Sequence, residues 1–396
     1  MARFLVLGAG RQGVACGTYL LERQPDTQVV YGDVSPERLG SVRDQASHPQ
    51  RVSTNLIDVG RNEQELEALI ADCDCVISCV PFFFNEGLTR LAIRRGKHFC
   101  DLGGNVDTVR RQLAIADAAR EAGVCVVPDC GLAPGTVNVL AELWRDRWQY
   151  RSVKILCGGL PQHPKGILGY QANFSIHGLL NEYLDDCQVA RGGQVLTIPG
   201  LSELERVSGL AVPGEFEAFA TSGGASLGPE LYAPLGIDYE YKTLRYPGHR
   251  DAIMAMAEVG LFEQRPLREL IESQPCEATA SAALPEICPR DMAVALLERA
   301  FASDRQDLVI ARVEVQGTDE HGRPIEGRAD LLDRADGRFT AMERTTGFSV
   351  GVVAAFLAGL LPEKPPTGVY VPSQVMPAKR LIAELDEVGV KIVVRP

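Results

Sequence analysis

At 396 residues, 45% hydrophobic and 23% charged, the chain is too long for one ordinary core and too apolar for disorder. A formal net charge of −12 argues against nucleic acid as a partner. No apolar run approaches the ~20 residues that span a bilayer, so a membrane partner is not expected either.

The opening apolar run, Phe4 to Leu7, is short and lacks a small-residue cleavage site, which predicts a buried strand and not a signal peptide. The eleven Cys residues are odd in number and scattered, several of them (Cys73, Cys75, Cys79, Cys125) inside apolar runs. With no C-x-x-C pair, this predicts reduced thiols in a cytoplasmic protein and no metal site. After the first strand and its glycine cluster, residues 14–23 read as a helix. Strands are predicted at 28–31, 52–56, 75–80, 98–101 and 124–127, with helices at 63–71, 85–95 and 107–122 between the later ones. Strands alternating with helices predict an α/β fold, a Rossmann doubly wound parallel sheet. From Pro128 to Gly135 the chain is turn-rich, and a helix is expected over 136–147. Strand-like segments then fall at 153–159, 169–175, 194–198, 239–246 and 308–317, predicting a second α+β domain with a mixed or antiparallel sheet. A helical insert is expected near 250–304, punctuated by Pro266, Pro275, Pro285 and Pro289. A helix over 348–361 and a helix–strand pair over 378–394 are expected to return to the first domain. The division is therefore 1–135, with 345–396 packing back on it, and 136–344.

Gly8-Ala9-Gly10-Arg11-Gln12-Gly13 stands between a strand and a helix, with Asp33 at the end of the second strand. In that setting Gly8 permits the tight turn, Gly10 lets the backbone approach a pyrophosphate, and Gly13 allows close helix–strand packing. The helix start offers unpaired N–H groups to phosphate, with Arg11 and Gln12 in the same loop. Asp33 would accept from ribose hydroxyls and repel a 2′-phosphate, so the expected cofactor is NAD and not NADP. The plainer reading of Asp33 is a turn aspartate. Val80 and Pro81, after the fourth strand, are placed as further cofactor contacts. Phe82-Phe83-Phe84 follow them, as a cover for the cofactor pocket or as an apolar seam.

Several strings, in order, carry a likeness: Asp101-Leu102-Gly103-Gly104, Gly131-Leu132-Ala133-Pro134-Gly135, Gly158-Gly159-Leu160-Pro161, Phe174-Ser175 with Gly178-Leu179-Leu180, Thr221-Ser222-Gly223-Gly224, Lys242-Thr243-Leu244-Arg245-Tyr246 with Gly248-His249, and Arg344-Thr345-Thr346. Together with the glycine-rich start they resemble the saccharopine dehydrogenase-like superfamily over nearly the whole chain, and within it the lysine 6-dehydrogenases most. Saccharopine-forming reductases carry an aspartate where this chain has Ala133, which favours the lysine group; Cys157 before Gly158 is similar to the reductases.

The resemblance implies NAD-dependent oxidation of the ε-carbon of lysine to an imine that hydrolyses to the semialdehyde or cyclises. A homodimer is implied with it. The ε-ammonium must lose a proton before its carbon can release hydride. Asp101 and Asp129, each at the carboxyl end of a strand, are the candidate catalytic carboxylates; loop hydrogen bonds are the plain alternative for both. Arg245 is the candidate partner of the substrate carboxylate, equally read as a structural ion pair. Thr221 and Ser222 could donate to the same group, and Glu182 or Asn181 could hold an amine, although a solvated helix face is commoner. His249 and His177 are possible proton carriers, each also readable as a structural histidine; Cys157 reads as packing. Two alternatives stay open. One is a saccharopine- or carboxy-polyamine-type enzyme joining an amine to a carbonyl, which would need Arg250 or Lys242 to point inward. The other is a non-catalytic NAD-binding sensor.

Overall fold

The computed structural model describes residues 1–273 and 286–396. The first domain is a parallel sheet of β1 (Ala2–Leu7), β2 (Thr27–Asp33), β3 (Val52–Leu56), β4 (Cys75–Ser78), β5 (His98–Asp101) and β6 (Cys125–Val127). Its central strands are apolar at nearly every position because helices cover both faces. Phe4, Val6, Ile77 and Cys100 pack on one side, and Leu5, Leu7, Val76 and Phe99 on the other. The second domain contributes β7 (Gln149–Pro161), β8 (Cys187–Arg191), β9 (Gln194–Ile198), β10 (Glu205–Val207), β11 (Phe216–Ala220), β12 (Asp238–Arg245), β13 (Asp307–Thr318) and β14 (Pro324–Arg334). The chain then adds β15 (Gly368–Val369) and β16 (Lys391–Arg395).

The first sheet runs β15-β6-β5-β4-β1-β2-β3, so the order reverses between β4 and β1, where an open α/β sheet leaves its crevice. The second, nine-stranded sheet follows the path β10-β11-β12-β7-β13-β14-β16, with β8 attached at β12 and β9 paired to β8. It is mixed: β12 lies parallel to β7 while β13 and β14 are antiparallel. Val153, Ile155, Val309, Val313 and Leu331 line the face that shares one continuous core with the first domain. Val207 at the end of β10 and loop residue Leu210 cover Leu156, Phe216 and Leu244 on the opposite face. No helix among the described residues is long and apolar enough to cross a membrane.

Three expectations change. Residues 169–175 form no strand: Ala172 donates to Phe301 O, and Ser175 caps the helix Ile176–Leu184 by accepting from Gly178 N–H. The helix expected over 136–147 ends at Ala141, because the Trp144 amide is taken by the Tyr150 hydroxyl as the chain turns into β7. The C-terminal part divides. The buried helix Ser349–Leu357 and strand β15 do join the first domain, but β16 pairs with β14 in the second sheet. The insert holds helices His249–Glu258, Leu267–Ser273 and Pro289–Ala300, while Pro275 and Pro285 lie outside the described residues.

The crossing back to the first domain is tight. A π-turn, Arg344–Phe348, leads into Ser349–Leu357, and a Cβ at Gly347 would fall 2.5 Å from Ala15 Cβ and 2.8 Å from Gln12 O. Only a residue without a side chain lets this segment settle onto the helix Arg11–Arg23.

Candidate active site

The glycine-rich loop is built as its spacing demands. Gly8 has φ +101°, and its N–H donates to Gly32 O at 2.7 Å. A Cβ at Gly13 would fall 1.9 Å from Gly8 O, so no other residue lets the helix sit this close to the strand. The helix Arg11–Arg23 starts with Gly10 as N-cap and no side-chain cap, leaving its first N–H groups open to an anion. Nothing lies within 4 Å of where a Gly10 side chain would begin. Asp33, 7% exposed, accepts from Ala9 N–H at 2.7 Å and from Ser35 N–H at 2.8 Å. It thus pins the loop to the end of β2 and keeps lone pairs for a ribose. The turn role and the ribose role are compatible, and the loop fits a dinucleotide. Arg38, largely exposed, approaches Asp33 at 3.9 Å.

Arg11 pairs at 3.6 Å with buried Glu343, which also holds Arg305. Gln12 Nε2 donates to Met342 O at 3.4 Å, and its Oε1 is buried without a partner. Val80 is half-buried and Pro81 exposed at the carboxyl edge of the first sheet. Phe82 lies against the Gly104 backbone and Phe83 is 64% exposed.

The two aspartates stand at the carboxyl ends of their strands as expected, and both are engaged in buried hydrogen bonds, the plain alternative for them. Asp101 is fully buried and accepts from Gly103 N–H, Asp129 N–H and Gln112 Nε2 at 2.7, 3.2 and 2.7 Å. Burial raises its pKa to about 6 against those bonds. Its oxygens fasten the end of β5 to the turn after β6, and none is left facing a cleft. Asp129 is 2% exposed, held at φ +63°, and accepts from Ser226 Oγ across the domain boundary. Burial pushes its pKa up to about 7, the Ser226 bond opposing. Both act as buried connectors in this structure.

Arg245, 3% exposed, stacks over Tyr170 and Tyr183 with its guanidinium carbon 4.9 and 5.6 Å from the ring centres. Nε donates to Tyr183 Oη at 2.7 Å and Nη1 to Leu244 O at 2.8 Å. His249 completes this chain as a neutral ring. Nδ1 must donate to Leu168 O (2.7 Å), so Nε2 accepts from the Tyr183 hydroxyl (3.0 Å). Burial and Arg245 together lower its pKa to about 3. With both ring nitrogens engaged, His249 fits the structural-histidine reading of the two.

Thr221 is buried, its Oγ1 2.7 Å from Thr243 Oγ1, a bond in which either hydroxyl can donate. Ser222 is half-buried, and its N–H donates to Glu182 O. Glu182 is half-buried on the helix Ile176–Leu184, and a Cβ at Gly223 would fall 2.5 Å from its carboxyl carbon. Its carboxylate has no hydrogen bond or ion pair among the described residues, and burial raises its pKa to about 7 while Arg245 pulls it down. Asn181 accepts from Arg290 instead, and His177 is exposed. Cys157 is buried, its thiol pushed up to about 12 by burial, as packing requires. Lys242 pairs with Glu205 at 3.2 Å, and Arg250 donates to Leu201 O and Asp251.

One strap, residues 221–226, thus connects the second-domain wall at Glu182 to the first domain at Asp129. Sequence reasoning passed over Ser226, Met342, Glu343 and Asn173. Asn173, whose Nδ2 is buried and unpartnered near Gly159, directly precedes the Phe174-Ser175 string, the one signal available.

A dinucleotide loop at the switch point of a Rossmann sheet, joined to a second domain that carries an acid beside an arginine, is the architecture of a nucleotide-dependent oxidoreductase. The model described as "Saccharopine dehydrogenase NADP binding domain" matches residues 4–127, and "Saccharopine dehydrogenase C-terminal domain" matches 131–390. The chain belongs to the saccharopine dehydrogenase family. It is 23% identical over 278 residues to saccharopine dehydrogenase [NADP(+), L-glutamate-forming] of Pyricularia oryzae, covering 67% of this chain and 58% of that one. It is 24% identical over 275 residues to the mitochondrial alpha-aminoadipic semialdehyde synthase of Rattus norvegicus, covering 66% and 28%. The chain thus spans little more than half of the first relative and under a third of the second. Apo saccharopine dehydrogenase (L-Glu forming) from Saccharomyces cerevisiae shares the fold with a TM-score of 0.76 at 19% identity, each chain covered completely.

Proposed function

We propose that the protein oxidises the carbon bearing the ε-amine of L-lysine, releasing ammonia and leaving the semialdehyde or its cyclic imine, with NAD as hydride acceptor. The observation that carries this reading is the unpartnered, half-buried Glu182 carboxylate beside buried Arg245. One free acid and one arginine suit a small amino acid with a second amine. The arginine would face the α-carboxylate, to which its planar fork is matched. When bound, nicotinamide supplies the hydride-accepting carbon.

The competing reading is a saccharopine-type or carboxy-polyamine-type reaction that reductively joins an amine to a carbonyl; the relatives matched are named saccharopine dehydrogenases, L-glutamate-forming. It requires cationic groups for further carboxylates, and the two considered, Lys242 and Arg250, are spent on Glu205, Leu201 and Asp251. For the cofactor, Asp33 supports NAD, whereas the family model and the relatives' names carry NADP and exposed Arg38 could answer a 2′-phosphate. A cytoplasmic homodimer belongs to the same proposal, and light scattering on the purified chain tests its mass.

The deciding experiment follows the absorbance of reduced cofactor with NAD or NADP and a panel of L-amino acids. Lysine-dependent reduction of NAD is expected. Consumption of reduced cofactor with lysine plus 2-oxoglutarate, and none of its formation with lysine alone, would move the chain to the joining reaction. Cofactor binding without turnover in either assay would support the sensor.

A further inference from the structure

We infer that the Glu182 carboxylate is the group that takes the proton from the substrate's reacting amine, an assignment that rests on the amine-oxidising reading above. The geometry sets it apart from the two strand-end aspartates, Asp101 and Asp129. Asp101 spends its oxygens on three donors and Asp129 is held by Ser226, both fully or nearly fully buried. Glu182 is partly open, carries no hydrogen bond or ion pair among the described residues, and is seated against a backbone with no Cβ at Gly223. A carboxylate kept partly dry and left without an internal donor has its lone pairs available to an incoming N–H.

Its neighbours cannot do this work in its place. Arg245 and Tyr241 of β12, Cys157 of β7, Cys187 of β8, Tyr183 of its own helix and Tyr170 of the preceding segment all interact with it electrostatically. Burial pushes the tyrosines and thiols upward, so they stay neutral around pH 7, and Arg245 stays charged. Glu182 is left as the one member of this group that changes charge near neutrality. A base poised there combines the correct protonation state with driving force. Arg245 counters the desolvation of the carboxylate without tying it up, because its Nε and Nη1 already serve Tyr183 and Leu244.

The step balances. The ammonium N–H bond breaks and its proton passes to Glu182, leaving the free amine and a neutral carboxyl group. The nitrogen lone pair then forms C=N as the C–H pair leaves as hydride to the oxidised nicotinamide. Water adds to the resulting iminium, ammonium departs, and Glu182 returns its proton to solvent.

The test compares wild type, Glu182→Gln and Glu182→Asp in lysine-dependent cofactor reduction across pH, with reduced-cofactor binding by fluorescence and thermal melting as independent readouts. Wild-type kcat/KM should fall below about pH 7. Glu182→Gln should lose about 10²-fold or more of kcat and that acid limb, with cofactor affinity and melting unchanged. Glu182→Asp should keep the limb at reduced rate. Glu182→Gln within about threefold of wild type with the same limb would overturn the assignment and leave the lysine reading standing. Should Glu182→Gln not fold, Glu182→Ala decides: a rate within about threefold of wild type with the same acid limb overturns the assignment. A wild type that oxidises no amine but binds cofactor overturns the reading itself, and the assignment with it.

Discussion

Gly223→Ala isolates the placement of the Glu182 carboxylate from its chemistry. Gly223 lies outside the left-handed region, so alanine is accepted by the backbone and should gain about 0.4–1 kcal/mol by restricting the unfolded chain. The new methyl would fall 2.5 Å from Glu182 Cδ and Oε1 and 2.7 Å from Cγ. Non-bonded carbons settle about 3.5–4.0 Å apart, so the carboxylate must retreat by about 1 Å. A long side chain yields by leaving its rotamer, at about 0.5–1.5 kcal/mol. The two terms nearly cancel, and the melting temperature should move by no more than a few degrees. Activity should respond far more, because a displacement of about 1 Å at a reacting group can cost about 10²-fold. Steady-state kinetics with lysine and a melting curve on the same preparation check both halves. Unchanged kcat/KM with unchanged melting would refute the reasoning, since the carboxylate would have moved without consequence. A large loss of melting temperature would show instead that the glycine serves packing.

Gly13→Ala places a methyl 1.9 Å from Gly8 O and should abolish fluorescence-detected binding of reduced cofactor, whatever the substrate. Asp33→Asn should lower the kcat/KM ratio of NAD to NADP and Arg38→Ala should raise it; ratios moving the opposite way would reverse the cofactor assignment. Asp129→Asn addresses stability against pH. The Asp129 pKa is raised above its ordinary value to about 7, so its contribution is fully present near pH 4 and lost as pH rises through 7. The variant stays neutral and still accepts from Ser226, so its melting temperature relative to wild type should climb between pH 5 and pH 8; a constant difference would contradict the buried charge. Arg245→Lys forfeits the bond to Tyr183 and the planar fork. It should raise KM for lysine much more than for 1,5-diaminopentane, which has no carboxylate, and equal effects would make Arg245 structural.

The first domain was legible because its information is local. Continuous apolar strands, Gly8, Gly10 and Gly13 at fixed spacing, and Asp33 after the second strand each report a backbone need met within a few residues. The second domain was legible only in part. Residues 169–175 look like a strand, yet their partners are Phe301 and the helix cap at Ser175, which no pattern announces. β16 reads like a strand of the nearer domain and pairs instead with β14. The site divides in the same way. Glu182 and Arg245 could be nominated from strings of residues, but their rank depended on burial and on who bonds to whom. By that measure Asp101, Asp129 and His249, also nominated from the sequence, became connectors.

The sequence by itself determined the family, the dinucleotide loop and the α/β architecture, because periodicity and glycine spacing are properties of neighbouring residues. Only the tertiary structure decided which carboxylate is left without a donor, because that depends on contacts between residues far apart in the chain, such as Asp129 and Ser226, or Glu182 and Arg245.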